Sequence, residues 1–315
     1  MKEPIIQTFG LTKKFRKVVA VDDLSLKVPG GIYGFLGPNG AGKSTTIKML
    51  VGSLIPTKGR IEIFGHDISG HENMDIHKRI GYVPEHPTYF MRMTPERMLG
   101  YMGAIFRIPK SEIKSKIAEL LRLVDLEEAR NRTIEKFSAG MKQRIGIAQA
   151  LINDPELLIL DEITSNLDPL GRNEIVALLK DLRQQGKTIF VSTHILPEVQ
   201  KMNADSIGIL NKGKIVVEGN IDELNKSLGA NLLRIAPNNE AFRSALSGHV
   251  KKIIEEGPSM LVETGDKEKV WQVLAETSLK SNIPVTEFQS SSLGIEDIFM
   301  KVITGQHNQE GEESA

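Results

Sequence analysis

The sequence predicts a two-unit α/β protein: a mainly parallel sheet with a helical insertion over residues 1–228, then a smaller α+β unit over residues 229–304. Three observations carry that expectation. Short apolar runs alternate with helical patterns as far as about residue 228, the layering of β-α-β units. The alternation lapses between about residues 88 and 150, where three helix-like stretches follow one another with almost no strand signal. At 315 residues the chain also exceeds the roughly 250–300 residues that one core organises.

Taken in order, strands are expected at Ile5 to Phe9, Val18 to Val28, Ile32 to Leu36 and Arg60 to Phe64, with an apolar helix over Lys43 to Leu50. The insertion runs from Thr94 to Ala150. Strands resume at Leu157 to Leu160 and Thr188 to Ser192. The helix between them opens at Asn166-Leu167-Asp168-Pro169, which joins a capping residue to a proline at the first helical position. Ser206 to Gly219 reads as a hairpin turning at Asn211-Lys212-Gly213. Beyond Leu228 the expected order is a strand at Leu232 to Ile235, a helix over Asn239 to Leu246, strands at Val250 to Ile254 and Met260 to Glu263, a helix over Lys267 to Leu279 and a strand at Val285 to Phe288. That β-α-β-β-α-β order suggests a ferredoxin-like module. A last helix would place Ile295, Ile298, Phe299 and Val302 on one face, and the polar stretch from Gly305 is expected to be a disordered tail.

Composition excludes several classes. Lys+Arg 40 against Asp+Glu 40 leaves no net charge, so no nucleic-acid partner is expected. Zero cysteines exclude disulfides, thiolate catalysis and cysteine-ligated metals. No apolar run approaches the roughly 18 residues of a membrane span, and MKEPIIQTFG places Glu3 and Pro4 where a secretory leader needs unbroken apolar sequence. A cytoplasmic chain is expected, whose membrane role would come through a partner.

Gly37-Pro38-Asn39-Gly40-Ala41-Gly42-Lys43-Ser44-Thr45 fits G-x-x-x-x-G-K-[ST] between a strand and a helix. Glycines let backbone N–H groups converge on phosphate oxygens, the helix N-terminus favours negative charge, Lys43 reaches the terminal phosphates and the Ser44 hydroxyl suits Mg2+. Leu157-Leu158-Ile159-Leu160-Asp161-Glu162 brings two carboxylates to a strand's C-terminal end, where ligands of open α/β sheets sit. Alone, it reads equally as an acidic turn. Phe137-Ser138-Ala139-Gly140-Met141-Lys142-Gln143-Arg144 reads by spacing as a helix capped by Ser138.

Glycine loop, S-x-G-x-x-Q-R turn, acidic strand end, Ser165-Asn166-Leu167-Asp168 and Ser192-Thr193-His194 occur in that order, and residues 1–228 thereby resemble the ATP-binding subunit of an ABC transporter, a P-loop NTPase cassette. The resemblance implies a head-to-tail dimer, with a second copy or a paralogous ATPase subunit, that sandwiches two ATP molecules. It assigns Ser138 and Gly140 to the γ-phosphate held by the partner, Glu162 to the attacking water, Asp161 and Ser44 to Mg2+, His194 to the γ-phosphate and Asp168 to the dimer contact. Phe15 matches the adenine-stacking position, with a core role as the alternative. Glu85, in Val83-Pro84-Glu85, stands where most members have glutamine; a carboxylate there can bind Mg2+ or water but, ionised, donates no hydrogen bond. Ala139 and Met141 depart from the commonest signature. These features, with a C-terminal Ser292-Leu293-Gly294-Ile295-Glu296-Asp297-Ile298-Phe299, resemble the exporter branch, which implies transmembrane permease partners and attachment to the cytoplasmic face of the membrane.

Met91, Met93, Met98, Met102 and Phe106 offer a soft docking surface for those partners or else fill the insertion's core. Two other readings stay open: a soluble ABC ATPase of translation or DNA repair, and a C-terminal unit that either senses a ligand or stabilises the dimer.

Overall fold

Hairpins with short turns can pair only antiparallel, whereas strands separated by helices can pair parallel, and this distinction sorts the strands of the chain into separate sheets. The computed structural model describes residues 3–69, 74–224, 232–290 and Phe299. It divides into two compact units, Met1–Gly219 and Asn220–Ala315.

The central sheet of the first unit is built from β4 (Ile32–Leu36), β7 (Ile80–Val83), β8 (Leu157–Asp161), β9 (Thr188–Thr193), β10 (Ser206–Asn211) and β11 (Lys214–Asn220). Its order is β11-β10-β4-β9-β8-β7. The β10-β4, β4-β9, β9-β8 and β8-β7 pairings are parallel. Every residue of β4, β8, β9 and β10 is buried, as expected of strands covered on both faces. Phe190 stacks on Tyr33 at 5.4 Å between ring centroids and tilts onto Phe35 at 5.2 Å, which fills the middle of this core.

The early strands supply the antiparallel part of the mixed sheet core. β1 (Ile6–Phe15), β2 (Val18–Leu24), β3 (Lys27–Val28), β5 (Lys58–Ile63) and β6 (His66–Asp67) form a second, antiparallel sheet. The stretch expected as a single strand from Val18 to Val28 breaks at Ser25-Leu26. There the buried Thr8 hydroxyl donates to the Leu24 carbonyl at 2.9 Å and accepts the Leu26 N–H at 2.8 Å, supplying partners where the ladder is interrupted.

Helix α1 (Lys43–Leu50) follows β4, and α2 (Met74–Lys78) precedes β7. The insertion comprises α3 (Pro95–Ile105), α4 (Lys110–Leu123), a 3-10 turn (Ile134–Lys136) and α5 (Ala139–Ala150). α6 (Pro169–Gln184) opens as read from sequence: Asp168 caps it by accepting the Gly171 N–H at 2.7 Å, with Pro169 first in the helix. α7 (Leu196–Lys201), α2, β6 and β7 carry no sequence signal because each spans only two to six residues, too few to show a period.

In the second unit, β12 (Leu232–Ala236), α8 (Glu240–Leu246), β13 (Lys252–Glu256), β14 (Ser259–Glu263), α9 (Lys267–Ser281) and β15 (Glu287–Ser290) follow one another. Its sheet has the order β13-β14-β12-β15, all pairs antiparallel. β13 and β15 each begin two residues later than the sequence pattern suggests. Leu233, Ile235, Phe242, Leu246, Met260 and Val262 are among its core residues. The boundary at 228, the helix from Ile295 to Val302, the Ser292–Phe299 motif apart from Phe299 itself, and the tail from Gly305 lie outside the described residues.

Candidate functional site

Strand register determines which loops meet. Leu36 of β4 pairs with Thr193 of β9, Ser192 of β9 with Asp161 of β8, and Leu160 of β8 with Val83 of β7. The C-terminal ends of four parallel strands therefore lie side by side. They deliver the glycine loop, His194, Glu162 and Glu85 to one edge of the sheet, where open α/β sheets bind ligands.

A cleft of about 360 Å³ opens there, lined by Ala20, glycine-loop residues from Asn39 to Thr45, Glu85 and Glu162. A Cβ on Gly42 (φ +109°) would strike the Ala20 carbonyl, and one on Gly37 would strike the Leu210 carbonyl. Glycine is thus needed at both for the loop to pack this closely. α1 begins at Gly42 without a side-chain cap, whereas α5 and α6 are capped by Ser138 and Asp168. The first-turn N–H groups of α1 are left for an anion.

Lys43 is buried under this loop. Its Nζ donates to the Gly37 carbonyl at 2.7 Å and the Pro38 carbonyl at 3.1 Å, and lies 3.1 Å from Glu162 Oε1. The other oxygen of Glu162 accepts from His194 Nδ1 at 2.8 Å. Glu162 is only 5% exposed and sits at φ +48°, a left-handed conformation that costs a side-chain-bearing residue about 1–2 kcal/mol. Its N–H is held by Ser192, whose hydroxyl oxygen accepts it at 3.0 Å and itself donates to Asp161 Oδ1 at 2.6 Å. Ser192 therefore ties the Asp161 carboxylate to the backbone of Glu162, a role that only the β8-β9 register reveals. Burial, and next the Asp161 charge, push the neighbouring Tyr82 phenol up to about 12, so it stays neutral beside that carboxylate.

Phe15, Ser138, Gly140 and Asp168 do not line the cleft. Phe15 ends β1, is 45% exposed, and has Lys13 Nζ 5.2 Å from its ring centre; the core alternative for it is corrected, since Val18 and Val19 beside it are exposed too. Ser138 is exposed at the start of α5, where its Oγ accepts the Met141 N–H at 3.2 Å, and Gly140 is half-buried next to it. Asp168 is likewise exposed. Glu85 reaches the cleft and lies 3.6 Å from His86 Nε2. Ala20, which walls the cleft, gives no signal in the sequence.

The family model for ABC transporters matches residues 21–165. Over 311 residues the chain is 38% identical to the bacitracin transport ATP-binding protein BcrA of Bacillus licheniformis, covering 96% of this chain and 98% of that one. The chain belongs to the ATP-binding proteins of ABC transporters. A second member of this family, the Nod factor export ATP-binding protein I of Ralstonia nicotianae, is 30% identical over 302 residues, 95% of this chain and 94% of that protein. The cassette fold extends to a solved dimeric ATP-binding cassette in a post-hydrolysis state with ADP and phosphate bound, with TM-score 0.62 at 26% identity over 68% of this chain and 98% of that one. The chain is thus a nucleotide-binding ATPase of the ABC class.

The residues present also suit a magnesium ion. Ser44 and Glu85 offer oxygen donors in the cleft, and Asp161 lies directly before Glu162. Among the described residues no cluster of three or more acidic or histidine ligands exists. Mg2+ fits such a site because it keeps several waters and takes phosphate oxygens as ligands, needing only one or two groups from protein.

Proposed function

We propose that two copies of the chain hydrolyse MgATP across a head-to-tail interface, and that this drives an exporter whose transmembrane permease is a separate subunit. The observation that carries the reading is the division of the site: Lys43, Glu162 and His194 form one connected group, while exposed Ser138 and half-buried Gly140 stand outside the cleft lining. A phosphate on the α1 N-terminus would draw Lys43 Nζ from the loop carbonyls and leave Glu162 free to orient a water, with His194 beside it. Bound Mg2+ would neutralise phosphate charge and polarise the transferred group. Ser138 and Gly140 then complete the site of the opposite subunit, Asp168 lies at the contact between copies, and exposed Phe15 is available to stack on adenine.

Export is favoured by the relatives, one named for bacitracin transport and one for Nod factor export, each matched along more than nine-tenths of its length. They give no support to the translation or DNA-repair reading. No described helix is long and apolar enough to cross a membrane, so permease contact must be made by a surface. The methionines expected for it divide: Met98 is buried, Met93 and Met102 are half-buried, and Met91 is exposed. Phe90, Tyr101 and Ile105 are exposed as well, with Phe90 and Tyr101 in edge contact at 5.5 Å. We assign the docking surface to these four residues. Purifying the tagged chain from detergent-solubilised membranes tests the proposal. Recovery of a multi-spanning protein with ATP-dependent hydrolysis is expected; recovery of ribosomes or DNA alone would contradict it.

A further inference from the structure

Glu198, in the first turn of α7, is a carboxylate only 4% exposed that the reading above does not use. Its Oε2 accepts two hydroxyl hydrogen bonds. One comes from Thr164, two residues after Glu162; the other comes from Thr193, directly before His194, at 3.2 Å. Thr193 Oγ1 in turn accepts the Ile195 N–H at 2.9 Å, so His194 is bracketed on both sides. Oε1 accepts no hydrogen bond from the described residues; it faces Arg172 Nε at 3.9 Å, and that N–H is donated to the Leu167 carbonyl. A half-satisfied buried carboxylate is a costly way to fill space, since an apolar side chain of similar volume packs without desolvating a charge.

We propose that Glu198 is a positioning residue for hydrolysis. By holding Thr164 and Thr193 on one oxygen it fixes the separation between the turn that carries Glu162 and the strand end that carries His194. The Glu162–His194 contact at 2.8 Å closes the same loop from the cleft side. Glu198 touches none of the reacting groups. The proposal rests on the assignment of Glu162 and His194 to hydrolysis.

The test is steady-state MgATP hydrolysis by the full chain, with melting temperature measured alongside. Glu198→Ala removes the shared acceptor and is expected to lower kcat about 10- to 100-fold while KM for ATP moves less than about threefold, the pattern of lost alignment rather than lost binding. Glu198→Gln keeps a carbonyl oxygen for both hydroxyls and is expected to restore kcat to within about threefold of wild type. Thr164→Val removes one donor at nearly constant shape, and it decides the matter if the alanine variant does not fold. Unchanged kcat in Glu198→Ala or Thr164→Val, or a glutamine variant no better than alanine, would overturn the proposal. Glu162→Gln measured in parallel separates the two claims: near-normal turnover there removes the assignment of Glu162, whereas normal turnover in the Glu198 variants removes only the clamp.

Discussion

Lys43 and Glu162, 119 positions apart in the sequence, form a buried ion pair at 3.1 Å in the wall of the glycine-loop cleft. Each compensates the other's charge, so a substitution at Lys43 acts on stability as well as on binding. Removing one partner of a buried pair commonly costs about 3–5 kcal/mol, because the other charge is left uncompensated. Lys43→Ala is therefore expected to abolish ATP binding and to lower the melting temperature of the free protein. Lys43→Ala with Glu162→Gln should recover most of the melting loss without recovering binding, which calorimetry of the two variants would check.

His194 donates to the same carboxylate from the other side. Because its hydrogen bond goes to Glu162 and not to a glycine-loop carbonyl, His194→Ala should leave ATP affinity within a few-fold while lowering turnover by about 100-fold or more, the usual scale for a lost proton-transfer or polarising group. Phosphate release and equilibrium ATP binding, measured on one preparation, would separate the two effects.

Tyr89 donates its hydroxyl to the Lys142 carbonyl at 2.8 Å and so ties the segment after Glu85 to α5, the helix that Ser138 caps. A Cβ on Gly146 would collide with that hydroxyl. Tyr89→Phe is expected to cost about 1 kcal/mol and Gly146→Ala about 1–3 kcal/mol through overpacking. The two should be less than additive in urea unfolding, since both act on one contact.

Glu218 gives a pH signature. Burial raises its carboxyl above the usual range, against the smaller lowering influences of the Lys27 N–H and the Tyr33 hydroxyl. The folded chain therefore holds this proton more tightly than the unfolded chain. Its contribution is fully present below the unfolded pKa and is lost as pH rises through the folded pKa. Glu218→Gln, whose carbonyl oxygen can accept the same two donors, should flatten that decline and melt no lower than wild type at neutral pH. Thermal melts across the weakly acidic range would show whether it does.

Much of this site is legible in the amino-acid sequence. Gly37 to Thr45 carry their chemistry in local spacing, Asp161-Glu162 and His194 gain theirs only from the order of motifs that resembles the family, and caps such as Asp168-Pro169 are decided within four residues. The remainder depends on register or on faces. Ser192 gains its role only because β9 lies beside β8 with Ser192 opposite Asp161. Glu198 reads in sequence as an ordinary helical acid until Thr164 and Thr193 converge on it. Met98 and Met91 have the same composition signal, yet Met98 lies in α3 and is buried, whereas Met91 precedes that helix and is exposed. The second, antiparallel sheet is hidden in the sequence because an apolar run does not announce the direction of its neighbour.

The central claim is that one chain supplies half of each ATP site and that Glu162 orients the attacking water. Sedimentation of Glu162→Gln with and without ATP and Mg2+, beside its phosphate release, tests this most directly. The variant is expected to bind ATP, to sediment as a dimer only when nucleotide is present, and to release almost no phosphate. A monomer that keeps near-normal turnover would contradict both halves of the account.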